Sequence, residues 1–188
     1  MAQAKTLTER DLKRVVDLLK ARRHGWRDRL MLLMTTWAGM RVGEVAALTF
    51  GDVRAADGGI REEVQLKAQQ TKGARARTVF LPRKLRDELA KYVIARGSVA
   101  DNKPLFYTQK RSGFSANTLT QHFHHLYKWA GIAGASSHSG RRTFITSLAA
   151  KGVSVRVLAS LAGHRSIATT QLYIDVNDDM KRRAVELV

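Results

Sequence analysis

The run WRDRLMLLMTTWAGM, residues 26–40, is the strongest constraint this chain places on its own fold. From Leu30 to Met34 it is too continuously apolar for a helix lying on a surface. It is also too short for a membrane span, which needs about 18 apolar residues. A helix of this kind is buried on every side, so amphipathic neighbours must surround it. Gly39 stands where it should end. GMRVGEVAALTF then begins a shorter helix, with Arg41 at its start and rooted in the core.

The rest of the pattern supplies those neighbours. Thr8 followed by Asp11 reads as an N-cap with an acidic first turn, after which Leu12, Val15, Val16, Leu18 and Leu19 recur at near-helical spacing. Helical pattern returns in RKLRDELAKYVIARG, SANTLTQHFHHLYKWAG, GRRTFITSLAAKG and VRVLASLAG. From Asp52 the texture changes: a loop around RAADGG, alternation in REEVQLKAQ, the polar break TKGARA and the short apolar segment TVFLP. This predicts a small antiparallel hairpin with Lys72 and Gly73 at its turn. The expected class is mainly α with a small antiparallel β-sheet, α+β, in one domain. A chain of 188 residues can bury one sizeable core, and two prolines with no repeat or low-complexity block mark no linker.

Charge narrows the partner. The 33 Lys+Arg against 16 Asp+Glu give a formal net charge of +17. Such a surface is drawn to a polyanion, and nucleic acid, through phosphate neutralisation and counterion release, fits better than an anionic membrane. With no cysteine there is neither a disulfide framework nor a thiolate zinc site. MAQAKTLTERD carries no apolar signal core. The protein is therefore expected to be soluble, with no membrane partner.

Several chemistries find no residues to run on. G-x-x-x-x-G-K-[ST], H-E-x-x-H and an acidic metal cluster are all missing. The HFHH run at 122–125 has no carboxylate or thiolate beside it in the chain, and Asp178 with Asp179 reads as a solvated turn or a helix start. No metal and no cofactor is expected. What remains is a set of cationic and imidazole groups in polar breaks beside apolar segments: Arg41, Lys72, His138, Arg141 and His164. Fixed donors and positive charge suit a phosphate in transition, where negative charge spreads over the equatorial oxygens. Tyr173, nine positions after His164, supplies the nucleophile. A phenol with a pKa near ~10 attacks phosphorus when cations favour the phenolate or a base takes its proton. The aryl phosphate ester so formed stays reactive enough for a sugar hydroxyl to reseal it without ATP.

Taken singly, each of these residues has a plain structural reading. Arg41 is then an ion-pair partner of Glu44, Lys72 an exposed turn lysine, and His138 a helix N-terminal residue. His164 is a loop residue after Gly163, and Tyr173 a half-buried aromatic. Their joint order and spacing argue for a site.

Those pieces, HSGRRTFITSLAAKGVSVRVLASLAGHRSIATTQLYIDV, resemble the tyrosine recombinase (phage integrase) family, in which a histidine-x-x-arginine box precedes a leucine-rich helix, a glycine-histidine box and a nucleophilic tyrosine. AGMRVGEVAALTFGDV is similar to the family's first arginine box, and QQTKGARARTVFLP to its lysine-bearing hairpin. The likeness runs from about the first helix to Tyr173, and four boxes in one order are far more specific than any one. It implies the catalytic-domain fold of that family. It also implies that Arg41 and Arg141 clamp the scissile phosphate and that His164 bonds a nonbridging oxygen. Tyr173 would form a 3′-phosphotyrosyl link, Lys72 protonate the leaving 5′-oxygen, and His138 act as general base or phosphate ligand. Glu44 takes the position that orients Arg41. Gly140 stands where the family often has a bulky apolar residue, and Arg142 where it frequently has histidine.

The resemblance implies site-specific recombination of duplex DNA, independent of metal and ATP, by integration or excision of a mobile element at a bacterial or phage nucleoid in the cytoplasm. Self-association to a tetramer at synapsis and accessory DNA-bending factors belong to the same expectation. Topoisomerase-like relaxation and a noncatalytic DNA-binding or regulatory module on the same fold are the rival readings. The expected domain is 1–188, a catalytic domain without the family's N-terminal core-binding domain, either an excised fragment or a stand-alone module. Residues 174–188 would add a tail helix whose apolar stripe, Met180, Ala184, Val185 and Leu187, packs on its own domain or docks on a neighbouring protomer.

Overall fold

The computed structural model describes residues 3–71, 73–110, 112–174 and 178–186. The apolar run forms helix α2, Gly25–Trp37, with Leu30, Met31, Leu32, Leu33 and Met34 all buried. Each such side chain removed from water is worth about 1.5–3 kcal/mol. Around α2 pack α1 (Glu9–Lys20), α3 (Val42–Ala46), α5 (Arg83–Arg96) and α7 (Ser139–Ala150). Thr8 caps α1 as its spacing predicts: Asp11 N–H donates to Thr8 Oγ1 at 3.1 Å, and Thr8 N–H donates to Asp11 Oδ2 at 3.0 Å.

A short helix α4, Phe50–Val53, follows α3 and leads into the hairpin. Strand β1, Glu63–Leu66, pairs antiparallel with β2, Arg77–Phe80, in the register Val64 to Val79 and Leu66 to Arg77. Val64, Leu66 and Val79 are buried on one face, while Thr78 Oγ1 donates to Gln65 Oε1 on the other. Period-two alternation thus puts Arg77 on the inward face, among apolar neighbours.

Helix α6, Ala116–Trp129, packs on α3 and buries Phe123 and Tyr127. Helix α8, Val155–Ala162, lies against α7, β2 and the short α9, Ile167–Gln171. The tail forms α10, Asp178–Val185, with Ala184 and Val185 exposed, so neither packs on its own domain. Leu187 and the Met180 side chain lie outside the described residues. Among the described residues the chain is mainly helical with one two-stranded sheet, as the pattern predicts. Among the described residues, sequence periodicity misses α4, α9 and a 3-10 turn at Ala68–Gln70, each too short to show a period. Among the described residues no helix is long and apolar enough to cross a membrane.

The glycine at position 140 has a packing cause. A Cβ there would lie 2.1 Å from Thr35 Oγ1 and 2.8 Å from Thr35 Cβ, so α2 and α7 approach too closely for any side chain. Thr35 cannot swing clear, because it is buried and its hydroxyl donates to Leu32 O at 2.7 Å. Gly140→Ala is expected to destabilise the domain by about 1–3 kcal/mol through overpacking, read as a lower urea midpoint at unchanged slope.

Candidate active site

Helix α8 ends at Gly163, whose φ of +62° closes the turn. A side chain there would be strained in that conformation and would also meet Arg77 Cδ at 2.7 Å. The helix leaves its last carbonyls without intrahelical partners, and three arginines from three other elements take them one each. Arg77 Nη1 donates to Leu161 O at 2.9 Å, Arg141 Nη2 donates to Ala162 O, and Arg41 Nη2 donates to Gly163 O at 3.1 Å. The carbonyl end of a helix carries partial negative charge, so this is where guanidinium groups gain most.

Among the described residues one carboxylate balances them. Glu44, 1% exposed, receives Arg41 Nη1 at 2.9 Å and the Arg41 backbone N–H at 2.7 Å. Arg77 meets both its oxygens as a fork, Nε to Oε1 at 3.0 Å and Nη2 to Oε2 at 2.7 Å. Burial works to raise the Glu44 carboxyl, but Arg77 and Arg41 outweigh it and hold the group below its ordinary value. Arg141, 4% exposed, also donates to Gly39 O at 2.7 Å, tying α7 to the end of α2. Burial, then the charges of Arg41 and Arg77, push its guanidinium down to about 9 against the pull of Glu44, which leaves it charged at neutral pH.

His164 follows directly. Its backbone N–H donates to Ala159 O at 2.9 Å, and its ring Nδ1 lies 2.9 Å from Thr170 Oγ1. Burial, then Arg141, Arg41 and Arg77, push the imidazole down to about 4, so it is neutral at pH 7. The Tyr173 ring stacks on it, with centroids 5.7 Å apart and planes 24° from parallel. The Arg142 guanidinium carbon stands 5.3 Å from the Tyr173 ring centroid, held by Arg142 Nε donating to Thr6 Oγ1 at 3.0 Å.

Of the residues singled out from sequence, the fold brings Arg41, Glu44, Arg141, His164 and Tyr173 together. His138 and Arg141 lie on the same turn of α7 but differ in burial. Arg141 is in the protein, whereas His138, at the N-cap, is exposed and lines a cleft of about 520 Å³ shared with Arg41 and Glu44. Lys72 lies outside the described residues. Arg41 makes the ion pair with Glu44 that its plain reading expects, and stands in the cluster as well.

Sequence reading misses Arg77 and Thr170. A charged residue on the core-facing parity of β2 was the available signal for Arg77. Thr170, fully buried, has no signal in a five-residue helix. HFHH also gains a partner that chain order hides: His122 Nε2 lies 3.1 Å from Asp28 Oδ2, and Asp28 in turn receives Arg27 Nε at 2.8 Å.

The depressed Glu44 value makes a stability claim with a definite sign. Its contribution is present above the ordinary carboxyl value of 4.5 and is lost as pH falls through the lower folded value. Glu44→Gln should cost about 3–5 kcal/mol near neutral pH, because it leaves the part-buried Arg41 and Arg77 without their carboxylate, and should flatten the acid limb of stability against pH. Chemical denaturation from pH 7 to pH 3 reads both.

Residues 5–180 match the family model described as the Phage integrase family. The tyrosine recombinase XerA of Pyrococcus horikoshii is 30% identical over 186 residues, covering 97% of this chain and 60% of that protein. XerA of Thermococcus kodakarensis is 32% identical over 185 residues, covering 97% and 62%. The chain thus spans about three-fifths of the length of these curated relatives. A crystal structure of XerA recombinase superposes with a TM-score of 0.77 at 26% identity, over all of this chain and 66% of that one. The Tn1549 transposon integrase, in complex with transposon right end DNA, shares the fold with a TM-score of 0.74 at 17% identity, over all of this chain and 67% of that one.

Proposed function

The chain belongs to the phage integrase family and has the fold of its tyrosine recombinase catalytic domains, and from that premise we propose that it cleaves and rejoins duplex DNA, one strand at a time, through Tyr173. One observation carries this reading: Arg41, Arg77 and Arg141 converge on α8 with one carboxylate among them, beside a neutral histidine and a tyrosine. Among the described residues such a cluster is under-neutralised, and a phosphodiester is an anion that would complete it. The net charge of +17 supplies the longer-range attraction to the duplex.

Tyr173 Oη attacks the scissile phosphorus, forming a 3′-phosphotyrosyl bond as the bond to the 5′-oxygen breaks. His138 takes the phenol proton, and Lys72 gives one to the leaving oxygen. Arg41 and Arg141 meet the charge on the nonbridging oxygens, helped by His164 as a neutral donor. Glu44 orients Arg41 and does not touch the phosphate. Attack by a partner strand's 5′-hydroxyl reverses the chemistry and completes recombination, with no metal or nucleotide consumed. Four copies on two duplexes would give the exchange its geometry, and the exposed apolar edge of α10 is available to a neighbouring copy.

Covalent trapping tests this. On a pool of end-labelled, nicked duplexes of random sequence, where loss of a short 5′-hydroxyl fragment prevents resealing, the wild type is expected to give a labelled protein band in excess chelator. Tyr173→Phe should give none while binding DNA as well. A band from both proteins would remove Tyr173 as nucleophile, and a band requiring magnesium would overturn the metal-free mechanism. Binding without any band would favour a noncatalytic DNA-binding module.

Arg141→Ala, with its folding checked by circular dichroism, should lose about 3 kcal/mol of transition-state stabilisation, a hundredfold or more in cleavage rate. A rate within tenfold of wild type would contradict the phosphate clamp.

A further inference from the structure

Thr170 is 0% exposed, and its hydroxyl oxygen lies 2.9 Å from His164 Nδ1. Among the described residues this is the one partner of that hydroxyl. A neutral imidazole carries one N–H and one bare lone pair, so the pair can be arranged in two ways. If Nδ1 bore the proton, the threonine would accept it, and its own O–H would be a buried donor with nothing to bond. That costs about 1–3 kcal/mol. If the threonine donates, both groups are satisfied and the ring proton stays on Nε2.

We propose that Thr170 is a positioning residue: its hydroxyl donates to His164 Nδ1 and fixes the imidazole as the Nε2–H tautomer. The nitrogen on the far side of the ring is then a donor, and among the described residues it has no partner of its own. A bare lone pair there would repel a phosphate oxygen, whereas an N–H attracts it. Charge conditions agree, because burial and three arginines keep His164 neutral near pH 7, so the tautomer decides whether the ring donates. The same residue reaches the nucleophile. Tyr173 N–H donates to Thr170 O at 2.9 Å, so one turn of α9 holds the histidine by a side chain and the tyrosine by its backbone.

The catalytic consequence rests on the phosphate reading above, whereas the tautomer does not. The chain would be labelled with 15N-histidine and long-range proton–nitrogen correlations recorded near pH 7, with His164 assigned by its loss in His164→Gln. The wild type is expected to show a pyridine-like Nδ1 and a pyrrole-like Nε2, and Thr170→Ser to keep that pattern. Thr170→Val, which keeps the shape and removes the hydroxyl, should move His164 to averaged, exchanging resonances. Its strand cleavage should fall about 10–100-fold, the usual cost of losing the group that orients a functional histidine, with DNA binding unchanged. Thr170→Ser should cleave at close to the wild-type rate.

A wild-type His164 protonated on Nδ1, or a Thr170→Val protein with the wild-type pattern, would overturn the proposal. Should Thr170→Val fail to fold, Thr170→Ala takes its place under the same criteria. If the wild type shows the Nε2–H pattern yet never cleaves DNA, the reading of the site as a cleavage centre fails and the tautomer assignment stands.

Discussion

The carbonyl end of α8 holds this site together. Leu161, Ala162 and Gly163 offer three consecutive acceptors, and Arg77 from the hairpin, Arg141 from α7 and Arg41 from the start of α3 each take one. A helix terminus must find partners for its last carbonyls or leave them wet. Here the partners are the charged groups that also define the site, so closing the helix and assembling the cluster are one event. Glu44 makes the arrangement tolerable, since it bonds two of the three guanidinium groups from a fully enclosed position. Without it, three like charges would crowd a region of low dielectric.

That crowding has uses. It adds to burial in pushing His164 down to about 4, so the ring does not become a fourth cation near pH 7. Among the described residues it also leaves more positive charge than the one carboxylate matches, which is the condition under which a bound phosphate gains most. Preorganisation comes from the frame. Gly39 at the end of α2 accepts from Arg141, and α2 itself is locked by apolar neighbours on all sides. The close approach of α7 to α2 over Gly140 keeps Arg141 at the right depth. Gly140 thus sets how tightly these two helices pack.

Tyr173 is held differently. Its ring rests on His164 and beside Arg142, and its backbone hangs from Thr170. Among the described residues the restraint on it is one short helix and two ring contacts, lighter than the packing around Arg141. On the function proposed above, a nucleophile that forms and later breaks a bond to DNA would gain from being positioned without being entombed.

Much of this could be read from the chain. The apolar run at 26–40 demanded an encircled helix, the cap at Thr8 and Gly39 after α2 marked element ends, and alternation marked the hairpin, because each is a local rule with a short period. Arg41, Arg141, His164 and Tyr173 could be picked out from their order. What the chain could not display was who bonds to whom. Arg77 lies 33 positions from Glu44 and 84 from Leu161, and the Thr170 hydroxyl acquires a role only when α9 folds against the end of α8. Asp28 and His122 meet across two helices in the same way. The sequence by itself determined the longer elements and most of the chemical inventory of the site, because propensity, capping and residue type act within a few positions. Only the tertiary structure decided the protonation state of His164, the burial of Arg141 and the pairing of the arginines with α8, because desolvation and Coulomb interaction depend on distance in space and not along the chain.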